Sequence, residues 1–171
     1  MSMKSESQIS SPEPQTRLHA LQSRIAAHPF LNGLRPEHLA TLALYAMETE
    51  FAAGQTIFRE GDIANRFYLV DQGKVLLELR VNLHAPVVLQ TVGHGEVLGW
   101  SWLFPPYAWH SDARVIEPVK ALFFYGTRLR EHCEEDPRFG HELMQRVAEV
   151  AIARLNLLQK RVVELSNPSR H

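Results

Sequence analysis

From Thr16 the apolar positions Leu18, Leu21 and Ile25 fall three and four residues apart, the spacing of one helical face, and predict a short amphipathic helix. His28-Pro29 closes it, because the residue before a proline is pushed out of the helical region. A second helix is expected from Pro36, where proline suits the first turn and Glu37 suits the positive end of the dipole. Leu39, Leu42 and Ala43 form its buried side. From residue 45 the helical period disappears. Short runs rich in β-branched and aromatic residues follow: TIFR, RFYLV, KVLLELRV, PVVLQTV, ARVI and VKALFFY. Gly54, Gly61, Gly73, Gly93, Gly95 and Pro118 punctuate them. Many short strands with turn signals at this spacing predict an antiparallel barrel or sandwich ending near Tyr125. The fold class is therefore mainly β with flanking helices.

Helix returns after Gly126. Thr127 is a candidate N-cap for a short helix through Cys133, and Asp136-Pro137 is a stronger start signal. The last segment, to about Leu165, has no Gly or Pro beyond its first turn. In it Met144, Ala148, Ala151, Leu155, Leu158, Val162 and Leu165 alternate spacings of four and three, a heptad seam that predicts a homodimer through this helix. Leu143, Val147, Val150 and Leu157 form a second apolar strip beside it, facing the helix's own domain. Arg154 and Arg161 fall at g positions without acidic partners at e, so charge pairing does not specify the partner.

Composition narrows the function. Residues 1–15 are polar, read as a disordered arm, and have no apolar core of a signal peptide. Residues 16–135 form the β domain with its leading helices, and residues 136–166 the long helix. Among 171 residues there is one cysteine, Cys133, so no internal disulfide forms and a reduced, cytoplasmic setting is expected. No apolar run has the ~20 residues of a membrane span. With 18 basic and 19 acidic residues there is no global field to attract nucleic acid. Residues 95–115, GEVLGWSWLFPPYAWHSDARV, are unusual: Trp100, Trp102, Phe104, Tyr107 and Trp109 crowd around Pro105-Pro106. They are candidates for lining a pocket, or for filling one.

The stretch GQTIFREGDIANRFYLVDQGKV resembles the signature of the cyclic-nucleotide-binding domain of the catabolite-activator (CRP/FNR-like) family. The matching elements are Gly54, Ile57-Phe58, Gly61-Asp62, the strand Phe67 to Val70, and Gly73, each glycine being assigned to a hairpin turn. Upstream HPFLNGLRPEHLATLA is similar to that family's helical lead-in, and Gly95-Glu96 to the start of its phosphate-binding cassette. The resemblance covers residues 28–165. It implies a double-stranded β-helix, or jelly-roll, barrel of about eight strands, with N-terminal helices and a long, often dimer-forming C-terminal helix. It also implies a cyclic nucleotide as the ligand class.

Carried over residue by residue, Gly95 matches the glycine whose backbone lets amides point at the phosphate, and Glu96 the carboxylate that accepts from the ribose hydroxyl. Val97 and Leu98 match the apolar residues supporting that turn. The second half departs from the pattern. Where the family places an arginine on the phosphate, this chain has Trp109 or His110, followed by Ser111. His110 or Arg114 could substitute, with a plain structural histidine an equal reading of His110. The ligand-binding candidates are thus Gly95, Glu96, Val97, Leu98, His110, Ser111 and Arg114, with Trp100, Trp102 and Trp109 as pocket aromatics. Without the arginine, tight binding of cyclic AMP through the usual contacts is not expected.

The sequence accordingly predicts a non-enzymatic regulatory or sensor module that passes its signal to a protein partner. No helix-turn-helix follows the long helix before His171, so no direct DNA contact is expected. Two alternatives stand beside it. One is a cupin-like or haem-binding metalloprotein using His84, His94 or His110, although no His-x-His pair precedes a spaced carboxylate. The other is a dimeric scaffold that binds no small ligand. No metal or other cofactor is assigned, and Cys133 is read as structural, since Glu134, Glu135 and Asp136 would raise its pKa.

Overall fold

The computed structural model describes residues 14–81 and 85–166. His84 and most of the N-terminal arm lie outside them. Helix α1 (Pro14–Ala27) stops before His28, whose Nδ1 accepts a hydrogen bond from Phe30 N at 3.3 Å and starts a single 3-10 turn at Pro29–Leu31. Helix α2 (Pro36–Tyr45) follows as expected, with Leu42 and Ala43 buried. Six strands come next: β1 (Met47–Phe51), β2 (Thr56–Phe58), β3 (Arg66–Leu79), β4 (Val87–Val92), β5 (Val97–Leu98) and β6 (Asp112–Tyr125). Helices α3 (Gly126–Glu135) and α4 (Pro137–Ser166) complete the chain.

The strands form an antiparallel jelly-roll sheet, order β1-β6-β3-β4, with β2 on β6 and β5 on β3. Among the described residues the sheet is not closed and has six strands, where about eight were expected. The reason lies at Gly73 and Pro118. RFYLV and KVLLEL fuse into β3, and ARVI and VKALFFY into β6, paired from Arg66↔Tyr125 to Glu78↔Asp112. Gly73 is thus not a hairpin turn. Register shifts between Val70 and Val75 mark a bulged crossing, where a Cβ on Gly73 (φ 88°) would lie 2.2 Å from Pro118 O. The bulge bends both strands without ending them.

At Phe67–Val70 and Ala121–Phe124 both faces of the sheet are buried, which explains why FYLV and ALFF read as continuous apolar runs. Phe67, Leu69, Leu122 and Phe124 face the helices, packing with Ile25, Leu31, Leu42, Leu129, Phe139 and Leu143. Their neighbours Tyr68, Val70, Ala121 and Phe123 face the barrel interior with Phe58, Val75, Val92 and Val115. Period-two alternation therefore sorts consecutive residues into two separate cores.

The helix starts divide the two capping expectations. Thr127 does not cap α3; the cap is Tyr125, without a side-chain bond. Gly126 lies directly under Trp102, where a Cβ would come within 2.8 Å of the Trp102 Cβ, so helix begins immediately off β6. Asp136 does cap α4, its Oδ1 accepting from Arg138 N at 3.0 Å and Phe139 N at 3.2 Å.

A buried histidine ties α4 to α2. His38, 3% exposed, places Nδ1 2.9 Å from Glu142 Oε2 and Nε2 3.2 Å from Asp136 Oδ2. The Phe139 and Arg138 amides and His38 hold the Asp136 carboxyl below its ordinary 3.8, while the His38 hydrogen bond and Arg35 hold Glu142 below 4.5. Depressed carboxylates stabilise the fold above their unfolded values, and that contribution is lost as pH falls through the lower folded ones. The melting temperature should therefore drop below about pH 4.5. An Asp136→Asn/Glu142→Gln variant should lose less on acidification; an acid limb identical to wild type would show that these groups do not carry it.

Candidate functional site

The Gly95-Glu96 turn is built into the sheet. Gly95 (φ 78°) donates its amide to Val70 O at 2.9 Å, and a Cβ there would meet Pro29 Cγ at 3.0 Å. Glu96 N donates to Gly93 O at 3.1 Å, and its exposed carboxylate accepts from Gly93 N at 2.7 Å. The Gly95 and Glu96 amides are thus both engaged within the chain. Val97 and Leu98 pair with Leu69 and Tyr68, sending one side chain to the helical core and the other into the barrel.

The three tryptophans lie on the connection between β5 and β6 and take three different environments. Trp102 is fully buried on the helical side, against Phe67 and Gly126, and its backbone oxygen accepts from Arg130 Nη1 at 2.6 Å. Expected among the pocket aromatics, it is instead a core residue anchoring the loop on α3. Trp109 is 5% exposed and stacks on Phe58 inside the barrel, centroids 3.9 Å apart at 11°. Gly99 makes room for it, since a Cβ there would come within 2.6 Å of its ring. Trp100 is partly exposed and meets Phe104 edge-on.

Arg114 is corrected most plainly. Between inward-facing Ala113 and Val115 it points outward, its Nε donating to Glu78 Oε2 at 3.2 Å. A side chain committed to Glu78 on the outer face cannot stand in for the cassette arginine. His110 is exposed at the rim of a cavity that Ser111, Ser101 and Trp109 also line, and no hydrogen bond to its ring is found among the described residues.

That cavity, about 170 Å³, lies between the barrel and α4, with Phe58, Leu77 and Leu89 on one side and Leu157 and Leu158 on the other. A second cavity of about 380 Å³ adjoins it, lined by Phe30, Gly95, Glu96, Val97, Val150 and Ala153. Gln90, Arg154 and Leu157 line both, so the two are lobes of one cleft roofed by α4.

Arg154 is the functional candidate that sequence reasoning missed. Its Nη2 donates to Val97 O at 2.7 Å, and its buried Nε finds no partner among the described residues. Burial pushes the guanidinium below its ordinary value, with the nearby Glu96 carboxylate opposing the shift. Its signal was present. The strip Leu143, Val147, Val150, Leu157 keeps alternating steps of four and three only if position 154 belongs to it. Arg154 is the charged residue of the domain-facing strip: from its g position it turns inward to its own domain, as does Arg161, whose Nη1 donates to Val88 O and Leu89 O, both at 3.2 Å.

Other candidate chemistry fits less well. A cavity of about 530 Å³ between α1 and the sheet is larger, but its charges pair among themselves: Arg24 with Glu48 and Asp71, Lys120 with Glu50. Among the described residues no group of three His, Cys, Asp or Glu side chains could hold a metal ion. Burial and the carboxylates of Asp136 and Glu134 push the Cys133 thiol up to about 11, which makes it a poor nucleophile. Among the described residues no helix is long and apolar enough to cross a membrane.

Comparison with known proteins agrees with this fold. The cyclic nucleotide-binding domain family matches over residues 48–136. A candidate cyclic nucleotide-binding protein from Geobacter metallireducens GS-15 superposes with a TM-score of 0.70 at 34% identity, covering 78% of this chain and 97% of that one. The N-terminal domain of a transcriptional regulator from Streptomyces coelicolor A3(2) gives 0.63 at 27% identity, covering 78% and 94%. A CRP-like cAMP-activated global transcriptional regulator of Mycobacterium tuberculosis is 26% identical over 124 residues, 72% of this chain and 55% of the regulator. The chain thus spans about half the length of that curated relative. The chain therefore belongs to the cyclic nucleotide-binding domain family.

Proposed function

We propose that the protein is a non-enzymatic, cytoplasmic regulatory module that binds a small molecule in the cleft beneath α4 and passes occupancy to a partner through that helix. One observation carries the reading: the cleft is shared between the cassette and α4, with Arg154 and Leu157 lining both lobes, so a ligand there touches barrel and helix together. The helix is also the proposed dimer contact. Leu155, Leu158, Val162 and Leu165 are 54%, 38%, 62% and 80% exposed in the single chain, leaving the heptad seam free to pair with a second copy.

The cassette is atypical. The usual arginine position holds Trp109 or His110, and Arg114 is engaged outside. Cyclic AMP, which activates the mycobacterial relative, then lacks its principal charge contact here. Restoring it tests the reading. His110→Arg should tighten cyclic AMP binding at least ~10-fold in a calorimetric titration, since a hydrogen bond to a charged group is worth about 1.5–3 kcal/mol. Unchanged affinity, or tight binding by the wild type, would place the phosphate elsewhere and contradict it. The Phe58–Trp109 stack favours a second reading, a scaffold whose aromatics fill the barrel; it predicts that neither protein binds the nucleotide.

A further inference from the structure

We infer that Arg154, reaching into the cleft from α4, is the anion anchor of this site, and that its ligand is a small planar ring carrying one anionic group. The inference rests on the cleft being the ligand site and goes further by naming the ligand's chemistry and the residue that selects it.

The aromatic lobe has the composition of a ring-binding site: Phe58, Trp109 and Trp100 with flanking leucines, and polar edges at Gln90, Ser101 and Ser111. Among the described residues no carboxylate lines this lobe, whereas Arg154 does. Its formal charge is therefore positive, in an apolar wall that weakens solvent screening. A guanidinium has five N–H donors in a planar fork suited to a carboxylate or phosphate. In Arg154 one of them reaches a protein acceptor, the Val97 carbonyl, and Nε is buried without a partner. A group engaged only as a structural clamp would leave that donor unsatisfied at a cost in stability. Glu96 acts on it through space but forms no ion pair with it among the described residues, and its carboxylate accepts instead from Gly93 N at 2.7 Å. An anion in the cleft would satisfy the fork and draw Arg154 toward the barrel, so binding would be read directly by α4.

The test compares isosteres that differ in charge, 2-naphthoate and 2-naphthamide, by calorimetry. Wild-type protein should bind 2-naphthoate at least ~10-fold more tightly, and Arg154→Gln should abolish that preference while leaving 2-naphthamide affinity unchanged. In the wild type the Arg154 Nε–H resonance should shift with 2-naphthoate and not with 2-naphthamide, a readout that needs no variant to fold. Equal binding of both probes by the wild type would overturn the anion assignment and leave the cleft as a ligand site. A preference that survives Arg154→Gln would overturn the assignment to this residue. Binding of neither probe would overturn this inference together with the ligand-site reading beneath it.

Discussion

Trp109→Ala should destabilise the domain by about 3–5 kcal/mol, the range for truncating a large buried aromatic. Trp109 is 5% exposed, lies parallel to Phe58 at 3.9 Å, and fills the space that Gly99 leaves open. Its backbone also joins the cassette to the preceding turn, with Gly61 N donating to its carbonyl and its own amide donating to Asp62 O, both at 2.9 Å. Removing the ring leaves Phe58 without its partner and enlarges the cavity beneath α4. Trp100→Ala, on a partly exposed ring at the same cavity, should cost less than about 1 kcal/mol. Urea denaturation of the two variants separates the roles. Equal losses would mean that Trp109 is a cavity lining without a core function.

The second large effect concerns assembly. Leu155→Lys with Val162→Lys places two charges per chain in the heptad seam, where a dimer would desolvate them without partners. Self-association should weaken at least ~100-fold by sedimentation equilibrium. The folded monomer should be unharmed, because the two leucine and valine side chains are 54% and 62% exposed and neither lines the cleft. A double variant that self-associates like the wild type would move the dimer interface off α4.

Much of this fold is readable from periodicity, and the failures have physical causes. Leu21, Ile25, Leu42 and Ala43 are buried as their spacing predicts, and Asp136-Pro137 starts the long helix. Gly73 and Pro118 mislead because a bulge and a turn use the same residues; only the crossing of the two backbones tells them apart. The tryptophans mislead for another reason. They are close in sequence, but the irregular connection between β5 and β6 that carries them leaves Trp102 in the helical core and Trp109 in the barrel core. Arg114 could not be oriented without the register of β6, where Ala113 and Val115 take the inside.

Arg154 is the instructive omission. Reading α4 for a partner helix placed Arg154 at a g position, which assigns it to the dimer. Reading the same helix for its own domain shows an apolar strip with one position occupied by a charge. A charge at such a position is costly unless it meets a counter-charge or a ligand. The resemblance concerns the Gly95-Glu96 turn, whereas the guanidinium lining both lobes of the cleft comes from α4.

A small ligand held in the cleft and a second chain joined along α4 each add to the mass of the native particle. Native mass spectrometry of the protein as isolated reads both properties at once. The expected mass is that of two chains with a retained small molecule that is released on collisional activation. A ligand-free single-chain mass at micromolar concentration would contradict it.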